Sequence, residues 1–103
     1  MKGQLKLEGK TIYLQGSVTL NTVMRLWKLS FPHLQQRQVN TIDFSQVERT
    51  DSAGLALMCE WLRYAKRNQF ELSFAALPEQ LLNMAQLTST AALFQLNHQS
   101  ATD

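Results

Sequence analysis

The chain is poor in the residues that most enzymes and secreted proteins rely on: one cysteine, two histidines, two prolines and four glycines in 103 residues. With Cys59 alone, an internal disulfide is excluded and a reducing compartment is the simplest setting. His33 lies beside Pro32 and His98 near the C-terminal end, so no Cys/His spacing resembles a zinc site. No G-x-S-x-G elbow surrounds a serine and no Walker A glycine loop is present, so serine catalysis is disfavoured and any ATP hydrolysis belongs to a partner. No run approaches the roughly 18 apolar residues of a membrane span, and Met1 to Lys6 has no apolar leader core. The expectation is a cytoplasmic chain with no direct membrane insertion, tied to a membrane only through a partner. The net charge of +2 is too small to argue for nucleic acid, and the basic residues are scattered except for Arg63 to Arg67.

What is present is apolar patterning. Hydrophobic residues make up 45% of the chain and charged residues 17%, a balance that supports one folded domain over residues 1–103, with 97–103 expected as a frayed tail. Leu5 and Leu7, then Ile12 and Leu14, alternate with polar residues around Gly9-Lys10, predicting an N-terminal hairpin with a type II′ turn. From Asn21 the period becomes helical through Val23, Leu26, Trp27 and Ser30. Asn21 or Thr22 serves as cap, Pro32 limits the run, and Trp27 is assigned to the core. Val39 to Phe44 reads as a buried parallel strand followed by a polar loop. Residues 53–68 read as a helix with Leu55, Met58, Cys59, Leu62 and Ala65 on its core face, and Leu57, Trp61 and Tyr64 on its flank. Phe70 to Ala75 is a further strand, Pro78 opens a last helix, and Ala92 to Leu96 is a short final strand. Met24, Met58 and Met84 are read as packing residues and Cys59 as a buried, inert thiol. The order β-β-α-β-α-β-α-(β) predicts an α/β domain with a mixed sheet covered by helices.

The junction between the Val39 strand and the next helix is the candidate functional end. Asp51 is a good N-cap type, Ser52 begins the helix, and Gly54 in the first turn costs about 1 kcal/mol of helix propensity relative to Ala, which a close approach of another segment would justify. Ser52, Ala53 and Ala56 are small enough for a partner to pack closely, with Glu60, Arg63 and Arg67 offering charged contacts further along; the bland reading is a capped helix with an exposed face. Arg49 is either a partner or phosphate contact or a solvated charge. Asp43 is read in a strand-end role.

Ile42-Asp43-Phe44-Ser45 followed by Asp51-Ser52-Ala53-Gly54-Leu55 resembles the strand, loop and D-S/T-x-G-L helix start of the STAS family, found in bacterial anti-sigma-factor antagonists and the tails of sulfate transporters. The longer string through Ala56-Leu57, with Glu60-Trp61-Leu62 behind it and Leu26-Trp27 in the first helix, is similar to the MlaB branch, the STAS subunits of the Mla phospholipid transporter. The resemblance implies a STAS-type (SpoIIAA-like) fold and a non-enzymatic subunit without cofactor or metal. It also implies an ABC transporter ATPase subunit (MlaF-like) as partner and, through it, the permease. It places Ser52 with Asp51, Ala53, Gly54 and Ala56 at that contact. In antagonists the hydroxyl at the position of Ser52 is phosphorylated, which makes Ser52 a candidate phosphorylation site; Ala53, where a second Ser or Thr is frequent in antagonists, departs from that pattern. A lipid binder using Leu57 and Trp61 ranks last.

Overall fold

The computed structural model describes residues 3–87, and the expected strand at Ala92–Leu96 and tail at 97–103 lie outside them. Four strands and three helices follow in the order β1 (Gly3–Glu8), β2 (Thr11–Val18), α1 (Val23–Gln35), β3 (Thr41–Thr50), α2 (Ser52–Arg67), β4 (Ser73–Ala75) and α3 (Glu79–Leu87). The sheet has the order β1-β2-β3-β4, with β1 antiparallel to β2 and the other pairs parallel. It is the expected mixed α/β domain. Gly9 has φ 61° while Lys10 stays out of the left-handed region, as the two-residue hairpin turn requires.

One face of the sheet carries Ile12, Leu14, Ile42, Phe44 and Phe74, all buried, and the helices close over it with Leu26 and Leu34 from α1, Met58, Trp61 and Leu62 from α2, and Leu81 and Ala85 from α3. The other face carries the alternate residues, among them Gln4, Lys6, Tyr13 and Asp43, in register across the strands. The two longer helices run side by side at a nearly constant offset. Leu20 meets Asp51, the Trp61 indole N–H donates to Ser30 Oγ at 2.9 Å, and an Arg37 N–H donates to the Asn68 carbonyl at 2.8 Å, each pair 31 residues apart. The units β2–α1 and β3–α2 are therefore parallel copies of one supersecondary step, and both helices begin at the same end of the sheet.

Several expectations are corrected. The polar loop after Phe44 is strand: β3 continues to Thr50, paired with β2 as far as Val18↔Thr50. Two register shifts explain the disguise. β3 spends three steps from Asp43 to Gln46 where β2 spends two from Tyr13 to Gln15, and two from Val47 to Arg49 where β2 spends one. Bulges of this kind break the in-out alternation that marks a strand in sequence. Pro32 does not end α1, which continues three residues to Gln35 and closes on Arg37 in the left-handed region at φ 57°. Gln38 N–H donates to His33 O and Arg37 N–H to Leu34 O, a Schellman closure without glycine. Burial of Leu34 and the tether of Arg37 to Asn68 and to the Phe70 ring, 5.4 Å away, offset the lost proline hydrogen bond. The Phe70 strand shortens to Ser73–Ala75, because residues 69–70 are used to close α2.

The core face of α2 is rotated toward Trp61 by roughly half a residue step relative to the expected one. Trp61 and Leu57, assigned to the flank, are buried, and Cys59, assigned to the core, is half-buried at its edge. On α1 the core positions are Leu26, Ser30 and Leu34, which turns Trp27 into the seam with α2. There it is half-buried, with ring contacts to Phe31 and Tyr64 at 5.7 and 6.2 Å. Met24, assigned to packing, is exposed.

Candidate functional site

The site is built where β2 and β3 hand over to their helices. Thr22 takes the N-cap position of α1 but does not cap it with its side chain. Its hydroxyl donates to the Ser17 carbonyl and accepts from the Thr19 N–H, both at 2.9 Å, which holds residues 17–22 in a fixed turn. Asp51, with extended backbone, caps α2 by accepting from the Ala53 N–H at 2.9 Å, and its second carboxylate oxygen accepts from the Leu20 N–H at 3.1 Å. One carboxylate thus fixes the start of α2 and ties it to the turn before α1. Its capping half was predictable from residue type; its link across 31 residues was not.

Ser52 is exposed at the first position of α2, where the positive end of the helix dipole and unpaired N–H groups face outward. Ala53 is half-buried, and Ala56, Glu60, Arg63 and Arg67 are exposed on the stripe that continues from it. Glu60 and Arg63 pair at 2.6 Å. The structure brings these residues onto one continuous face. Gly54 is not on that face: it is buried, and a Cβ there would collide with Thr50 Oγ1 and stand 3.0 Å from the Val18 carbonyl oxygen. The close approach it permits is internal, by the ends of β2 and β3, rather than by a partner. Thr50 Oγ1, packed against it, is buried without a hydrogen-bond partner.

Sequence reasoning missed an apolar groove beside the α2 stripe. Leu20 and Met24 form one wall, Ala53, Ala56 and Glu60 the other, and Val23, Trp27 and Leu57 the base, enclosing about 480 Å³. Leu20 is 74% and Met24 66% exposed, unusual for such side chains standing together. The signal available was the spacing of Leu20 and Met24 beside Val23 and Trp27; a helical period alone assigns Met24 and Trp27 to packing and leaves Leu20 unassigned. A second, polar hollow is lined by Ser17, Thr19, Asn21, Thr22, Arg49 and Asp51, and this is where Arg49, exposed at the end of β3, sits.

Among the described residues the histidine and the exposed serine of α2 lie apart. His33 stands near the C-terminal end of α1, bonded to Gln38 Oε1 at 3.2 Å, whereas Ser52 is at the start of the parallel helix α2. Burial pushes the Cys59 thiol above its ordinary value, opposed by the neighbouring Arg63, which disfavours its thiolate form. Among the described residues no three His, Cys, Asp or Glu side chains are grouped to hold a metal, and no helix is long and apolar enough to cross a membrane.

Fold and site together define a small α/β domain that presents an exposed hydroxyl and an apolar groove at one end of a mixed sheet. The family model described as "Mlab, STAS domain" matches residues 2–95, and the chain belongs to that family of STAS domains, whose members act typically as binding or regulatory domains. No curated protein matches. Among solved structures the chain is similar to the unphosphorylated form of the anti-sigma factor antagonist SpoIIAA, at 18% identity and TM-score 0.62, over 82% of this chain and 81% of that one. It is also similar to part of Mglu, at 18% identity and TM-score 0.56, over 74% of this chain and 19% of that one. At these identities the likeness is one of fold.

Proposed function

We propose that this chain is a non-enzymatic STAS subunit that binds the ATPase subunit of an ABC-type phospholipid transporter, promotes its assembly and activity, and so contributes to outer-membrane lipid asymmetry. It would sit in the cytoplasm, peripheral to the inner membrane through that complex. The observation that carries the reading is the exposed Ser52 at the start of α2, with the Asp51 side chain turned inward to its cap and the small Ala53 and Ala56 on the same face. The family description supports the transporter branch over others. Co-purification with the ATPase from native membranes tests it. Ser52→Arg places a long cation on the face and is expected to lower recovery at least tenfold, a loss of about 1.4 kcal/mol or more; unchanged recovery overturns the contact.

The same exposure favours a second reading, an anti-sigma factor antagonist switched by phosphorylation at Ser52. A phosphate there would gain from the helix dipole and be repelled by Asp51, so it would act as a release signal. Intact-mass measurement on protein from growing and stressed cells distinguishes the two, since only the switch requires a phosphorylated species.

A further inference from the structure

The groove beside Ser52 has chemistry of its own. Two of the largest exposed apolar side chains, Leu20 and Met24, face Ala53 and Ala56 across it, with Trp27 and Leu57 at its base. Further along the same side of α2 the surface changes sign. Glu60 is matched by Arg63 at 2.6 Å, while Arg67, exposed on the same stripe, adds a positive charge beyond that pair. At 1.5 Å per residue, Arg63 and Arg67 stand about 10 and 16 Å beyond Ala56 along the helix axis.

We propose that the groove seats an acidic amphipathic helix of the partner. Its apolar side chains lie between Leu20, Met24 and Ala56, and its carboxylates, two to three turns further along, meet Arg63 and Arg67. This rests on the reading of the α2 start as a docking surface and adds the chemistry of what docks. An apolar anchor flanked by complementary charge is the helix-in-groove mode of recognition. The small side chains at 53 and 56 let that helix approach closely, and the turn that carries Leu20 is held from below by Asp51, so the wall is preformed. A basic helix would be repelled by Arg63 and Arg67.

Trp27 makes the test direct, because it lines the groove while Trp61 is buried, its indole N–H already bonded to Ser30. The probes are two synthetic helical peptides with the same Leu/Ala face, one with Glu and one with Lys at the polar positions, titrated into the full chain while its indole emission is followed. The Glu peptide is expected to shift the emission and to bind at least tenfold more tightly than the Lys peptide. Met24→Asp, a change at an exposed side chain, is expected to abolish the shift, and the Arg63→Glu, Arg67→Glu double variant to invert the preference. Equal binding of the two peptides, or no shift with either, overturns the proposal. In the co-purification assay, loss of the ATPase with Ser52→Arg but full recovery with Met24→Asp would leave the proposed function standing and remove the groove from it.

Discussion

Gly54 illustrates how a helix-disfavouring residue is retained for a local reason. Gly54→Ala would gain about 1 kcal/mol of helix propensity. It would also push a methyl group into Thr50 Oγ1 and the Val18 carbonyl, atoms fixed by the paired ends of β2 and β3. Overpacking against such neighbours costs about 1–3 kcal/mol. The expected result is a net destabilisation of up to about 2 kcal/mol, read as a lower urea midpoint. Cys59 gives a residue-level test of burial. The folded state holds its thiol proton more tightly than the unfolded chain, whose thiol ionises near the ordinary value of 9.0. Stability is therefore expected to be flat below that pH and to fall as pH rises through it toward the raised folded value. Iodoacetamide labelling at pH 8 should be slower than in urea; equal rates would show an exposed thiol.

At the level of elements, the start of α2 is where local rules and tertiary structure meet. Asp51→Ala removes a cap and the acceptor for the Leu20 N–H, and is expected to cost about 1–2 kcal/mol. It should also speed amide exchange at both Ala53 and Leu20; a change at Ala53 alone would show that the carboxylate does not hold the turn before α1. The hairpin, α2 and its capping residue were legible in the sequence because alternation, helical period and cap type are local signals. The second half of β3 was not, because its bulges erase alternation, and only pairing with β2 identifies residues 45–50 as strand. Trp27 and Met24 were misassigned because a helical period marks an apolar stripe without saying whether its edge is covered. Here α1 meets α2 along Ser30–Trp61 and leaves the earlier turns apart, which opens the groove. The stripe from Ala53 to Arg67 was legible for the opposite reason, since a polar and small-residue face on a helix whose other side is apolar has only solvent or a partner to meet.

At the scale of the whole molecule, the sheet is covered by helices on one face, and its central strands are β2 and β3. Hydrogen exchange is expected to be slowest at Ile12 and Ile42, each paired with a strand on both sides, and faster by orders of magnitude in the three-residue β4. Uniform protection would contradict that ranking. The parallel β2–α1 and β3–α2 units bring both helix starts to the ends of their strands, the edge of an open α/β sheet where ligands are usually received. That shared end gathers the exposed serine, the groove and the polar hollow without any long loop. It also gives the two extra residues in β3 a meaning: they act as a spacer. Because Ser45 to Thr50 remain paired with β2 as far as Val18↔Thr50, shortening that polar stretch by one would either remove a bulge or turn every later side chain of β3 to the opposite face, and would draw the serine about 3.3 Å back along the sheet. A segment that reads as freely variable is thus under a constraint on length rather than on chemical character.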